Sequence, residues 1–337
     1  MKGHANIPVF IPHLGCGNQC VFCNQRSISG VTEFDKENVK NIIEDALQTV
    51  DKDTEVEIAF FGGSFTGIDR DLMIYLLEVA ESYVRDGRVK SIRCSTRPDY
   101  INDEILDILE RYSVRVIELG LQSSDEDVLL ATKRGHDFNA ERNACRLIVE
   151  RGFTLVGQMM IGLPMSTPEK EIATAEFIIS TGALAARIYP TVVFRETELC
   201  AMAEVGAYQP LSVDEAVKRT AAVMKMFLDA GVDVIRIGLH SSENLQNEKT
   251  YYAGPNHPAL GELVINEIYY GLIVDELCKL EKKEINDVKI SVGKGMLSKA
   301  IGQRKKNLRR LKEVFPFLNI YFSEDNSLAE YSILVER

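Results

Sequence analysis

The chain has 337 residues, 45% of them apolar and 26% charged, with 39 basic against 50 acidic side chains and a formal net charge of −11. This is the composition of an ordinary globular protein, long enough for one large domain with an appendage or for two domains. No apolar run approaches the length that spans a bilayer, and so negative a total argues against a protein whose whole surface binds nucleic acid.

The first apolar segment, "ANIPVFIPHLG", leads into "CGNQCVFC", which gathers Cys16, Cys20 and Cys23, three of the seven cysteines, in one short loop. Disulfide pairing explains them poorly, because three is odd, the spacings are tight and no charged-then-apolar leader precedes them. A cytoplasmic location, where thiols stay reduced, is expected. Zinc would accept the thiolates, but structural zinc is four-coordinate and needs a further ligand, for which His13 is the candidate. A thiol loop without metal is another reading. An iron–sulfur cluster held by three thiolates leaves one iron without a protein ligand, open to a small molecule. Cys94, Cys145, Cys200 and Cys278 stand singly in apolar contexts and read as small buried hydrophobes.

"DKENVKNIIEDALQTV" follows as an amphipathic helix with Ile42, Ile43, Ala46 and Val50 on one side, then the strand "VEIAFFGG" and the helix "LMIYLLEVAESYVRD". "KSIRCSTRP", "VRVIELGLQ", "FTLVGQMMIGLP", "AARIYPTV" and "VDVIRIGL" continue the alternation. Such a pattern predicts parallel strands with crossover helices, as a barrel or an open sheet, with chemistry at the carboxyl ends of the strands. The cysteine loop, "GGSFT", "STRPDY", "LQSSDE" and "GLPMST" all sit there.

Gly62 and Gly63 would let a ligand approach the backbone and leave amides free for a carboxylate or amine, although a bare glycine pair is more often a tight turn. Ser64 and Thr66 offer hydroxyls beside them. The next strand end supplies Thr96, Arg97, Asp99 and Tyr100, of which Pro98 and Asp99 would equally suit the first turn of a helix. "IELGLQSSDEDVLLATKRGHD" adds Glu118, Gln122, Ser123, Arg134, Gly135 and His136. A carboxylate inside an apolar strand needs a partner, and for Glu118 pairing with Arg97 is the structural alternative to a place in a ligand pocket.

C-x3-C-x2-C with an aromatic residue, Phe22, before the last cysteine resembles the signature of the radical S-adenosylmethionine (SAM) enzymes. The resemblance implies an α/β fold, a partial (β/α)6 TIM-like barrel. It also implies a [4Fe-4S] cluster on Cys16, Cys20 and Cys23, and SAM chelating the open iron through its amino and carboxylate groups. An electron passed through the cluster from a donor such as a ferredoxin or flavodoxin would break SAM into methionine and a 5'-deoxyadenosyl radical. Gly62 and Gly63 match the position that contacts the methionine amino group, and Ser64, Arg97, Glu118 and Gln122 would line the SAM pocket or the substrate side.

Taken together, "GGSFT", "TRPDYI", "ELGLQS", "KRGHD", "MMIGLP" and "RIYPTVVFRETEL" resemble the catalytic subunit of the Elongator complex, Elp3, and its relatives, from the cysteines to about residue 217 and again weakly in "GPNHPALGELV". That family modifies the wobble uridine of transfer RNA with SAM and acetyl-CoA, so the resemblance implies RNA modification. It makes Tyr189, Arg195 and Glu196, after the sixth strand, candidates for substrate contact. The stretch after Val264 is too short for an acetyltransferase-like domain, which puts acetyl-CoA-dependent carboxymethylation in doubt.

The last segment reverses the charge. Lys289, Lys294, Lys299, Arg304, Lys305, Lys306, Arg309, Arg310 and Lys312 occur without an acidic residue between Lys289 and Lys312. A strand ending at Val292, then "GKGMLSKAIGQRKKNLRRL" and the strand-like "LNIYF", resembles part of a KH domain, whose helix–loop–helix clamps a nucleic-acid backbone. Its loop reads Gly302-Gln303-Arg304-Lys305, so Lys305 replaces the second glycine of G-x-x-G. Lys299, Arg304, Lys305 and Lys306 are expected to contact phosphates with strong salt dependence and little base specificity. A basic helix that covers the barrel or binds other anions is the plainer reading. The expected division is a barrel over 1–245 and an extension over 246–337. The leading expectation is a radical SAM enzyme acting on RNA, transfer RNA in particular, with no membrane partner. Alternatives are a radical SAM enzyme acting on a small metabolite or peptide, and a non-catalytic RNA-binding protein whose cluster senses oxygen or iron.

Overall fold

The alternation of apolar runs and helical segments builds a single large sheet. The computed structural model describes residues 3–12, 14–25, 34–51, 53–239, 247–280 and 287–337. In chain order these form β1 (His4–Ile11), α1 (Val39–Thr49), β2 (Glu55–Gly62), α2 (Arg70–Arg85), β3 (Ser91–Thr96), α3 (Asp103–Arg111) and β4 (Val114–Gln122). Next come α4 (Glu126–Ala131), α5 (Phe138–Glu150), β5 (Thr154–Ile161), α6 (Pro168–Ser180), β6 (Ala185–Pro190), β7 (Val193–Phe194) and α7 (Glu198–Glu204). They are followed by α8 (Val213–Asp229), β8 (Asp233–Ile237), β9 (Tyr251–Ala253), α9 (Leu260–Cys278) and β10 (Asp287–Val292). The chain ends with α10 (Leu297–Ile301), α11 (Lys306–Val314), β11 (Asn319–Glu324) and β12 (Ile333–Glu336).

Strands β1 to β6 lie side by side in sequence order with β8 beyond them, all paired in parallel, and the sheet curls into a half-barrel. These are the seven apolar runs of the sequence. Val56, Ile58, Ala59 and Phe60 of β2 are all buried, as expected of a parallel strand covered on both faces, whereas β8 at the edge keeps Asp233 exposed. Side-chain caps fix where the helices begin: Asp69, Asn102, Asp125, Asp137 and Thr167 each accept from a backbone amide of the first turn. A short loop thus separates each cap from the preceding strand or turn, leaving the strand ends to carry the quoted motifs.

The chain divides into two compact units, Met1–Leu211 with Met226–Asn256, and Ser212–Lys225 with His257–Arg337. In the second unit β10 pairs in parallel with β11 and antiparallel with β12. Tyr269, Ile273 and Leu277 of α9 pack with Val288, Ile290 and Val292 of β10 and with Ala300 and Leu311. Cys94, Cys145 and Cys200 are buried as expected, but Cys278 is exposed. It closes α9 one position after buried Leu277, and a step of about 100° around the helix carries it off the packed face. Among the described residues, no helix is long and apolar enough to cross a membrane.

Ile290 is fully buried on the central strand of this small sheet. Ile290→Ala is expected to cost about 2–5 kcal/mol by urea denaturation; a cost under about 1 kcal/mol would show that β10 is not packed as described.

Candidate cofactor site and basic ridge

The cysteine loop is seated by backbone bonds at several points. Val21 donates to Thr132 O (3.2 Å) and accepts from Leu199 N (2.8 Å), while Cys23 N donates to Cys20 O (3.0 Å) and closes a tight turn. Val21 also packs with Val193, Leu199, Cys200 and Tyr208. The paired glycines act on the same loop. Gly63 N donates to Ile11 O (2.7 Å), Ser64 N donates to Leu14 O (3.0 Å), and Gly62 O accepts from Gln25 Nε2 (2.6 Å). The expectation of free amides therefore fails at Gly63, whose N–H is already bonded. A Cβ at Gly63 would lie 1.8 Å from Leu14 O, and one at Gly15 (φ +74°) would lie 2.1 Å from Ser64 O. The glycines are present because two backbones touch.

This contact brings the thiols together with two cations. Burial, with Cys20 and then Cys16 beside it, pushes the Cys23 thiol up to about 12. Burial also raises Cys16, against the nearby Ser64 hydroxyl and the Arg97 and Arg134 guanidiniums. Arg97 Nη1 and Arg134 Nη1 donate to Cys20 Sγ at 3.8 and 3.3 Å. Arg97 is itself held by Asp99 (2.9 and 2.8 Å), by Arg134 O and by His136 Nδ1 (3.4 Å). Although burial opposes it, His136 and Arg97 keep Asp99 far below the usual carboxylate range. Pro98–Tyr100 is a single 3-10 turn, and the Asp99 carboxylate serves Arg97 and His136.

The donor set fits the cluster. The Cys16 and Cys23 thiols resist ionisation where they stand, and a cationic iron–sulfur core would supply the charge that ionises them. Among the described residues, no three His, Cys, Asp or Glu side chains converge on one ion position, and His13 lies outside the described residues. A cluster requires no such convergence, because each thiolate binds a separate iron.

Glu118 does not pair with Arg97. It is fully buried on β4 opposite Ser95 and accepts from Arg93 Nη1 (3.0 Å), Arg187 Nη2 (2.9 Å) and Gln158 Nε2 (3.0 Å). Arg97 lies beyond the end of β3 and turns toward the cysteine loop, whereas Arg93 and Arg187 present guanidiniums inside the sheet's curve at the level of Glu118. Tyr189 is raised by burial, against the neighbouring Arg187. Gln122 has a left-handed backbone (φ 72°) at a register shift, and its Oε1 is buried without a partner. Thr66 Oγ1 is engaged by Thr96 Oγ1 (2.7 Å) and Tyr100 O (2.9 Å). Arg195 and Glu196 are exposed, and Arg195 Nε donates to Glu248 O (2.8 Å) with its guanidinium over Tyr252. Arg134, His136 and Glu141 complete the arrangement around the thiols. "KRGHD" pointed to the first two, while nothing in the helical sequence of α5 distinguished Glu141.

In the second unit the basic run separates into two sets. Lys306 pairs with Asp214 (2.7 Å), Lys299 with Glu330 (4.0 Å) and Lys289 with Glu336 (2.9 Å), while Arg310 grips Glu267 (2.5 and 3.0 Å) above the Tyr270 ring. Arg304, Lys305, Arg309 and Lys312 are exposed and have no acidic partner among the described residues. Arg309 and Lys312, three residues apart, share one face of α11, and Lys305 stands just before its first residue. Arg304 and Lys305 both have left-handed backbones (φ 51° and 61°), so Lys305 adopts the conformation that a glycine would make easy. Gly302 is required nearby, since a Cβ there would lie 2.9 Å from Asn307 N.

Residues 10–178 match the radical SAM superfamily and residues 184–270 match the radical SAM C-terminal domain. Elongator complex protein 3 of Dictyostelium discoideum is 28% identical over 256 residues, spanning 64% of this chain and 46% of that protein. An uncharacterized protein of Methanocaldococcus jannaschii is 29% identical over 221 residues, 62% of this chain and 67% of that protein. The chain thus spans less than half the length of the Dictyostelium relative. The solved structure of Elp3 from the archaeon Methanocaldococcus infernus superposes with a TM-score of 0.63 at 19% identity, over 85% of this chain and 66% of that one.

Two predictions follow from the seating of the loop and from the charges around it. Gly63→Ala should abolish iron retention after anaerobic reconstitution. Gly87→Ala, at φ +71° with open space around it, should cost only about 1 kcal/mol and retain iron; equal iron in both would contradict the close-approach reading. Glu141 is raised by burial from 4.5 to about 7, and His136, although burial opposes it, is raised by Asp99 and Glu141. Both hold protons more tightly when folded, so their stabilisation is complete below the unfolded values and is lost as pH rises through the folded ones. Urea stability of the apo protein should therefore fall between about pH 5 and 7 on account of Glu141, with the His136 contribution lost only above its ordinary value of 6.5, and Glu141→Gln should flatten the slope between about pH 5 and 7; an unchanged slope would contradict it.

Proposed function

The chain belongs to the radical SAM superfamily, and on that premise we propose that it is an RNA-modifying enzyme, with transfer RNA as its substrate. Enzymes of this superfamily use a [4Fe-4S] cluster and SAM. Cys16, Cys20 and Cys23 would hold the cluster, which when bound supplies the electron that cleaves SAM. The turn at Gly62 and Gly63 fixes the loop, and Ser64 and Gln122 offer polar atoms near the thiols and at the end of β4. Glu118 already receives three partners, so its role is to neutralise Arg93 and Arg187 rather than to bind a ligand directly.

The observation that carries RNA as substrate is the outward set Arg304, Lys305, Arg309 and Lys312, exposed and without acidic partners among the described residues, on a chain of net charge −11. A polyanion backbone would satisfy that set, and the resemblance to Elp3 supports transfer RNA among polyanions.

The test is SAM cleavage by reconstituted protein with and without bulk transfer RNA. Cleavage should rise with RNA, and Arg304→Glu with Lys305→Glu should remove that rise and reduce the slope of log affinity against log salt by about 2. Arg310→Ala should instead lower thermal stability, because it leaves Glu267 without its partner. Cleavage indifferent to RNA would overturn the RNA assignment.

A further inference from the structure

Two guanidiniums reach one thiol of the three. Arg97 and Arg134 are 5% and 4% exposed, and each directs an Nη1 at Cys20 Sγ. Cys16 and Cys23 receive no guanidinium N–H among the described residues. An arginine side chain stays protonated in a protein, so burying it costs several kcal/mol unless an anion and acceptors receive it. Arg97 has Asp99. Arg134 has no carboxylate within ion-pair distance among the described residues; its Nη2 donates to Gly120 O, and its Nε is buried without a partner. The Cys20 sulfur, 3.3 Å from Arg134 Nη1, is the acceptor that a bound cluster would make anionic.

We propose that Arg134, assisted by Arg97, sets the electron affinity of the cluster through the Cys20 thiolate. The inference rests on the cofactor reading above. Reduction adds one electron from an external one-electron donor, with no bond made or broken, and makes the cluster more negative. Charge-assisted N–H···S bonds and an uncompensated positive charge favour that state and raise the reduction potential. Both guanidiniums donate to Cys20 and, among the described residues, neither donates to Cys16 or Cys23, so Cys20 is the ligand through which they would act most directly. Arg134 is a positioning residue: it touches a proposed ligand of the cluster, Cys20, and acts through it.

The test is a redox titration of the reconstituted protein, followed by electron paramagnetic resonance. Arg134→Gln should disfavour reduction at least tenfold, about 59 mV lower for one electron. Arg134→Lys, which keeps the charge but loses the fork, should fall between the two, at least threefold below wild type. A merely structural role would lower the amount of cluster held without moving the potential of what remains. A Gln variant with the wild-type potential overturns the inference. If the Gln variant holds no cluster, a Lys variant with the wild-type potential does so. Wild-type protein that assembles no cluster overturns the cofactor reading, and this inference with it.

Discussion

Everything at the candidate site depends on two stretches of backbone touching. Leu14 O sits where a side chain at Gly63 would have to begin, and Ser64 O crowds Gly15 in the same way. This contact ties the loop that follows β1 to the turn that follows β2. With it in place, the cysteine loop also reaches Thr132 and Leu199 through its own backbone, and Arg97 and Arg134 arrive beside Cys20. A larger residue at Gly63 would break the chain of placements at its first link.

Charge is handled differently in three places. Inside the sheet's curve, Glu57 and Glu118 are matched by Arg93 and Arg187, so the interior network is close to neutral. Beside the thiols, Arg134 has no carboxylate partner among the described residues, and the local imbalance is positive beside Cys20. In the second unit, Lys306 and Arg310 are neutralised by Asp214 and Glu267, while Arg304, Lys305, Arg309 and Lys312 have no acidic partner among the described residues. Under the proposed function, the cations beside Cys20 would receive a thiolate and the basic set of the second unit would receive phosphate.

Much of this was legible in the sequence. The seven strands of the large sheet were visible because each is a short run rich in apolar and β-branched residues that alternates with a helical segment, even where Arg93, Glu118 or Arg236 interrupts it, and the site motifs were visible because they follow those runs. The partner of Glu118 was not, since Arg187 lies 69 residues away and meets it only through the curvature of the sheet. Gly63 was read as a ligand contact because the sequence does not reveal that Leu14 would come so close. The helical period separates Arg309 from Arg310, yet which of them faces outward is decided by Glu267, far off in the chain.

The central claim is that Cys16, Cys20 and Cys23 hold a cluster with one iron left open to SAM. It is tested most directly by electron paramagnetic resonance of the anaerobically reconstituted, reduced protein before and after adding SAM. A cluster signal that changes shape with SAM, and is absent when the three cysteines are replaced by alanine, is the predicted result. A signal indifferent to SAM, or one that survives the replacement, would contradict the account.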